Sequence, residues 1–540
     1  MKFDPHYLPY PSKRQVVYGK KGVVCTSQPF AAQIGLDTIK RGGNAIDAAI
    51  ATAAALTVVE PTGNGLGGDA FALVWIAKEN KLHGLNASGY APNLMTEENI
   101  RAKGVDAIPQ YGLIPITVPG IPSAWAALSE KYGKLSLEEV LEPVAKLAEE
   151  GFPVHPTAAR FWKRGAGIFK KELAAQGKVF QGWFDTFSPE GTIPEPGDIM
   201  KLKNHAKTLR EIGKTKAESF YRGAIAERIE EFMKEHGGFI RKDDLAEFYP
   251  EWVEPLRTNY RGYDVWQIPP NGQGLVTLMA LNILEGFDFP MGKDHPDTYH
   301  KHMESLKLAF SDGHHYIGDP RFVDVPVEEM LSKEYAAERR ATIGEEAIDP
   351  KPGNPPGGGT VYLCTADEEG NMVSYIQSNY YGFGSGVVIP DLGIAFQDRG
   401  FAFNLDKESV KYVEPRKRPY HTIIPGFISK DGEAVGPYGI MGGPIQPQAH
   451  MQVISNLVDF NLNPQAALDA PRWQWDGGKK VSVEPSFPPA IAAALVRKGH
   501  EIQYAQEDGI FGRGQIIVKL PNGAYAAGTE ARTEGYIATW

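Results

Sequence analysis

Cysteine is nearly absent from this sequence: Cys25 and Cys364 are the only two in 540 residues. Two thiols so far apart supply neither a disulfide framework nor a zinc-binding spacing. One bridge can be drawn between them, but two free thiols in a reducing compartment is the simpler reading. Long apolar runs are missing too. No stretch approaches the roughly 18 residues of a membrane span, and the opening MKFDPHYLPYPSKRQVVYGKKG has no apolar core of the kind a signal peptide carries. Together these predict a soluble, cytoplasmic protein with no membrane segment. Positive charge is in deficit, with a formal net charge of −10. An acidic chain whose basic cluster is only Arg416-Lys417-Arg418 is a poor binder of nucleic acid. That cluster reads as a solvated loop or a local anion contact.

Familiar catalytic signatures are missing as well. Around Ser385, Phe383 stands where a serine-hydrolase elbow needs its first glycine. Gly63-Asn64-Gly65-Leu66-Gly67-Gly68 matches G-x-G-x-x-G, but an Ala-rich helix precedes it and a strand follows. Dinucleotide binding needs the opposite order, so a tight turn with close backbone packing fits better. His314 and His315, with Asp312 and Asp319 nearby, sit side by side at a helix end and face different directions. They form no chelate by spacing, so no metal and no cofactor is expected.

What the chain does have is an ordinary globular balance, 42% hydrophobic and 23% charged, with length enough for one large interwoven domain or several smaller ones. Residues 27–59 read as two Ala-rich helices broken at Gly42-Gly43-Asn44, and 70–77 as a strand. A helix is expected over 135–150, opened by a Ser136–Glu139 capping box, and others over 216–236, 272–286 and 296–313. Beyond residue 360 short strands take over, at 361–367, 372–378, 421–428, 481–484 and 514–519, with helices at 446–459 and 488–498. Segregated blocks of this kind favour an α+β or layered αββα architecture over a regular βαβ array. One linker-like segment occurs, DPKPGNPPGGG at 349–359.

That linker runs straight into Thr360, which opens a strand. Thr360, Tyr362, Cys364 and Ala366 share one face of it, and Val361, Leu363 and Thr365 the other. Glu368-Glu369-Gly370-Asn371 makes a turn, and the return strand brings Ser378 back beside Thr360. A surface hairpin entered by a loose loop accounts for this pattern. So does a chemical device. If the Gly359–Thr360 bond is cut, Thr360 becomes a chain end whose own amine can act as base for its hydroxyl. An α-amine titrates near about 7.7–8.0, so it can be neutral close to physiological pH. Gly357-Gly358-Gly359 would let the backbone bend for self-attack and then let the new end swing away.

Several further stretches belong to one frame: GNGLGGDAF at 63–71, VPGIPSAW at 118–125, AKLAEEGFPV at 145–154, YRGYDVWQIPPNGQG at 260–274 and YIGDPRFVDVP at 316–326. The most specific is T-x-x-x-x-x-x-D-x-x-G-N from Thr360 to Asn371, followed by FGSG at 383–386. On these the chain resembles the γ-glutamyltransferases, N-terminal-nucleophile hydrolases with a four-layer αββα fold, and looks closest to the cephalosporin-acylase-like branch. The resemblance implies one interwoven α+β domain formed by two autoprocessed segments, 1–359 and 360–540, held together as a heterodimer. It assigns Thr360 as nucleophile, Gly359–Thr360 as the processing bond, Ser378 as the hydroxyl that hydrogen-bonds the nucleophile, and Gly442-Gly443 as the oxyanion hole. Such donors are worth about 2.7–4 kcal/mol each. His421-Thr422 falls where the transferases place a serine pair near the pocket.

The departures concern substrate recognition. Ser88 stands where the transferases have an arginine that clamps the α-carboxylate, Tyr380 replaces an asparagine, Arg399 an amide, and Ala402 the acid that holds the α-amine. A neutral hydroxyl does not match a bidentate guanidinium. Arg399 could hold an acidic acyl chain from the other side or support its loop. Three functions follow: a γ-glutamyl transferase/hydrolase for glutathione-like amides with water or an amino acid or peptide as acceptor; an acylase for glutaryl or other non-glutamyl amides; and an unprocessed, non-enzymatic homologue.

Overall fold

The computed structural model describes residues 14–350, 359–507 and 509–540. Two seven-stranded sheets lie face to face, with helices covering both outer sides, which makes the four layers αββα. The first sheet runs, edge to edge, Val17–Gly19, Tyr525–Thr529, Arg513–Lys519, Glu433–Met441, Gly426–Lys430, Tyr263–Gln267 and Leu256–Tyr260. The second runs Tyr536–Thr539, Gly22–Thr26, Gly359–Asp367, Met372–Tyr380, Asp69–Ile76, Lys81–Ala87 and Glu251–Val253.

A strand covered on both faces has no polar side to show, and the inner strands read accordingly. Asp69–Ile76 and Met372–Tyr380 are buried at every position. Along the Thr360 strand, Val361 and Leu363 turn outward to the helices, while Tyr362 and Cys364 turn inward to the other sheet, as a period of two requires. Cys25 and Cys364 are free and buried, and they stand directly opposite one another on neighbouring strands.

The Ala-rich pair becomes Pro29–Lys40 and Ala45–Val59. The second of these is buried throughout, because alanine lets it lie between its partner helix and the sheet. Asn44 and Asp47 close its N-terminus reciprocally. The expected capping box at Leu137–Glu150 forms: Glu139 N–H donates to Ser136 Oγ at 3.2 Å, and Ser136 N–H to Glu139 Oε2 at 2.9 Å.

Two expectations need correction. The helix expected over 216–236 is two, Glu218–Arg222 and Ala224–His236, split at Gly223; Lys216 and Ala217 carry positive φ values of 51° and 66° and belong to a turn. The strand expected over 421–428 is Gly426–Lys430. His421 does not join it because its backbone is committed elsewhere: its N–H donates to Asn271 O, and its O accepts from Gln273 N–H, both at 2.9 Å. Helices Ile121–Tyr132, Pro156–Gln176 and Lys203–Thr215 add to the expected set. Of the glycine-rich linker, residues 351–358 lie outside the described residues, and Gly359 is already the first residue of its strand.

Candidate active site

The hairpin fixes the central pair. Gly359 is opposite Tyr380, and a bulge between Gly359 and Val361 shifts the register at Thr360. Thr360 Oγ1 donates to Ser378 Oγ at 3.3 Å, and the same Ser378 Oγ accepts the Tyr380 N–H at 2.7 Å. Thr360 is buried, yet it lines a cavity of about 520 Å³ together with Gly63, Tyr381 and Gly442.

Close backbone approach explains the glycine run at 63–68. A Cβ on Gly68 would lie 2.5 Å from Ser378 O, and one on Gly63 would lie 3.1 Å from Thr360 O. Gly442 has φ 133°, and its Cβ would meet Ile445 Cγ2 at 2.8 Å. Gly442 and Gly443 lie just ahead of helix Ile445–Val458, whose N-terminus carries partial positive charge. Gln273 straps this corner down: its Nε2 donates to Thr422 O at 2.6 Å and to Gly443 O at 3.1 Å.

The recognition candidates cluster behind the hairpin. Ser88, Tyr380, Arg399, His421 and Thr422 are all buried, and none lines the Thr360 cavity. Ser88 Oγ donates to Asn86 Oδ1 at 2.8 Å and to Asn271 Oδ1 at 3.3 Å. Arg399 lies over the Tyr380 ring, 4.0 Å from its centre, and donates through Nη1 to Thr422 Oγ1 at 2.9 Å. Its Nε and Nη2 have no hydrogen-bond partner among the described residues.

Asp69 is the member that sequence reasoning missed. It sits opposite Ser378 on the neighbouring strand. One carboxylate oxygen accepts the Gly89 N–H at 2.8 Å and Gln397 Nε2–H at 2.9 Å, and the other faces His421 Nε2 at 2.9 Å. Ile423 N–H points at His421 Nδ1 at 3.4 Å, so the ring is neutral with its proton on Nε2. Burial, with Arg399 nearby, pushes the His421 pKa down to about 4. The signal available in the sequence was an acidic residue directly after a glycine run and ahead of an apolar strand.

Elsewhere, His300, Glu304 and His500 are buried with ligand-type atoms within 4.8 Å of one another. Lys307 Nζ already supplies their positive charge, donating to Glu304 Oε1 at 2.6 Å and lying 3.4 Å from His500 Nδ1. His314 stacks on Phe310 instead of joining any such cluster.

A Gamma-glutamyltranspeptidase family model matches residues 31–540. The chain belongs to the γ-glutamyltranspeptidase family. That is an enzyme family with hydrolase and acylase members. The glutathione hydrolase-like YwrD proenzyme of Bacillus subtilis is 36% identical, over 96% of this chain and 98% of its own length. The oxamate amidohydrolase proenzyme of Klebsiella pneumoniae is 33% identical, over 95% and 97%. The crystal structure of a cephalosporin acylase from Bacillus halodurans superposes with a TM-score of 0.96 at 57% identity, covering 100% of this chain and 99% of that one. This γ-glutamyltranspeptidase-family chain thus carries the αββα Ntn-hydrolase fold, with Thr360 at the head of a central strand.

Proposed function

We propose that the protein is a self-processing amidohydrolase. Cleavage of the Gly359–Thr360 bond would free Thr360 as the amino-terminal nucleophile of the 360–540 segment. The carrying observation is the 3.3 Å contact from Thr360 Oγ1 to Ser378 Oγ on the wall of an open cavity. In turnover the Thr360 amine takes the hydroxyl proton as Oγ1 attacks the amide carbonyl, and the Gly442 and Gly443 N–H groups receive the oxyanion. The amine leaves with a proton, and water or an amine acceptor then resolves the acyl-threonine.

Acylase action on amides other than γ-glutamyl ones is the better-supported specificity. A γ-glutamyl group needs a cation for its α-carboxylate and an acid for its α-amine. Ser88 is occupied with Asn86 and Asn271, and Ala402 carries no charge. The likeness to the cephalosporin acylase from Bacillus halodurans supports the same choice. γ-Glutamyl hydrolysis is the second reading, favoured by Arg399 Nε and Nη2 behind Tyr380, which have no hydrogen-bond partner among the described residues.

Intact-mass measurement after incubation at neutral pH tests the chemistry. Two fragments meeting at Gly359/Thr360, and one unbroken chain for Thr360→Ala, are expected. A Thr360→Ala protein that still splits overturns it, and a wild-type chain that never splits and hydrolyses no amide is a non-enzymatic homologue. Parallel assays of a γ-glutamyl anilide and a glutaryl anilide separate the two specificities.

A further inference from the structure

The Thr360 cavity has a charged end that the mechanism does not use. Arg513, at the start of strand Arg513–Lys519, is 6% exposed and lines its floor. The guanidinium is poorly satisfied for so buried a cation. Its Nη1 is 3.9 Å from Glu60 Oε1, beyond hydrogen-bonding distance, and its Nε has no partner among the described residues. Ser27 Oγ–H meets the other Glu60 oxygen, and the Phe161 ring lies 4.7 Å from the guanidinium carbon. Burial pushes Glu60 up to about 7, so near neutral pH it offsets Arg513 only in part, with Glu534 and Glu530 acting on the guanidinium as well. A second cation, Arg164, stands exposed on the same wall, one turn along helix Pro156–Gln176 from Phe161. The rest of the lining mixes apolar and aromatic side chains, including Tyr111, Ile168 and Trp475, with Glu60, Gln110, Gln448 and Gln474.

A buried guanidinium whose Nε–H is left unsatisfied is costly, and Arg513 lines the open cavity where a ligand can share its charge. Arginine suits a carboxylate because its fork can donate twice. We propose that Arg513 on the floor, with Arg164 at the rim, is the anion anchor of this cavity. The amide that Thr360 attacks then carries a carboxylate on an apolar or aromatic body, held at a place separate from Ser88 and Arg399. The idea rests on Thr360 being the nucleophile, so its test needs one arm that does not depend on turnover.

Three nitroanilides set the turnover arm: glutaryl-4-nitroanilide with the acid on the acyl side, butyryl-3-carboxy-4-nitroanilide with it on the amine side, and neutral butyryl-4-nitroanilide. One acidic probe should exceed the neutral one in kcat/KM by about ten-fold or more, and which one does so tells the side. Arg164→Glu should shrink that ratio, and Arg513→Lys, which keeps the charge beside Glu60, should shrink it less. Equal turnover of all three, or a ratio unchanged in both variants, overturns the anchor. The second arm is calorimetric titration with glutarate and its neutral diamide, glutaramide. Glutarate binding that weakens in Arg164→Glu upholds the anchor even if no anilide is cleaved, in which case the Thr360 reading alone has failed. Equal binding of glutarate and glutaramide overturns it.

Discussion

His421 Nε2–H donates to Asp69 Oδ2 at 2.9 Å, joining two segments 352 residues apart in the chain. Asp69 also takes N–H groups from Gly89 and Gln397, and Arg399 Nε stands 3.8 Å away. In Asp69→Asn an amide N–H would face one of these donors. Breaking a buried, hydrogen-bonded charge cluster costs about 3–5 kcal/mol. In a Thr360→Ala background, which keeps the chain uniform, the urea midpoint should fall accordingly. An unchanged midpoint would show that the cluster contributes little.

Ser378→Ala removes the oxygen that accepts from both Thr360 Oγ1 and the Tyr380 N–H. Of the two hydrogen bonds lost, the one to the nucleophile, about 1 kcal/mol, predicts processing slower by roughly five-fold. Ser378→Thr restores the hydroxyl and should recover most of that rate. Gel densitometry against time reads both.

Gly442→Ala forces a Cβ into Ile445 Cγ2 at 2.8 Å, at a φ of 133° that side chains avoid. The backbone must shift and its N–H re-aim, so kcat on the best anilide should drop by about 100- to 1,000-fold. Near-normal kcat in a folded Gly442→Ala protein would remove this residue from the oxyanion hole.

Acid should destabilise the fold. Burial pushes His205 and His421 down to about 4, and His302, His314, His450 and His500 to about 3. An unfolded chain takes up these protons below about 6.5, whereas the fold refuses them until near 4 or 3. Their contribution is therefore complete above pH 6.5 and is lost as pH falls from there, at about 1.4 kcal/mol per pH unit for each proton. Glu60 and Asp398, pushed up by burial to about 7 and about 8, act oppositely: their contribution is present at low pH and lost as pH rises through those values. Six imidazoles outweigh two carboxyls, so the urea midpoint should fall between pH 6.5 and 4.5. A midpoint that holds or rises contradicts this.

Cys25 and Cys364 should resist a thiol reagent in the native protein and react in denaturant, because both are fully buried between the sheets. Rapid native labelling of either would contradict that packing.

Legibility in the sequence followed distance along the chain. The Thr360–Ser378 pair is the product of a local hairpin, and alternation plus one turn sufficed to place it. The expected capping box at Ser136 is equally local. Asp69 was silent because its partners, Gly89, Gln397 and His421, are gathered by tertiary folding alone. Arg513 and Arg164 were silent for the same reason: nothing in either neighbourhood announces that a strand end and a helix face meet at Thr360. Strand limits near His421 were misread because backbone pairing with residues 271–273 overrode its β-prone composition.

The order of strands around Thr360 has a mechanical consequence. Gly359–Asp367 is flanked by Gly22–Thr26 on one edge and Met372–Tyr380 on the other, and the chain's last strand, Tyr536–Thr539, clasps the far edge of Gly22–Thr26. Scission ahead of Thr360 would leave each piece laced through the other like the fingers of clasped hands. Neither dilution nor salt should part them. Only unfolding would, and pieces separated that way would have to refold together.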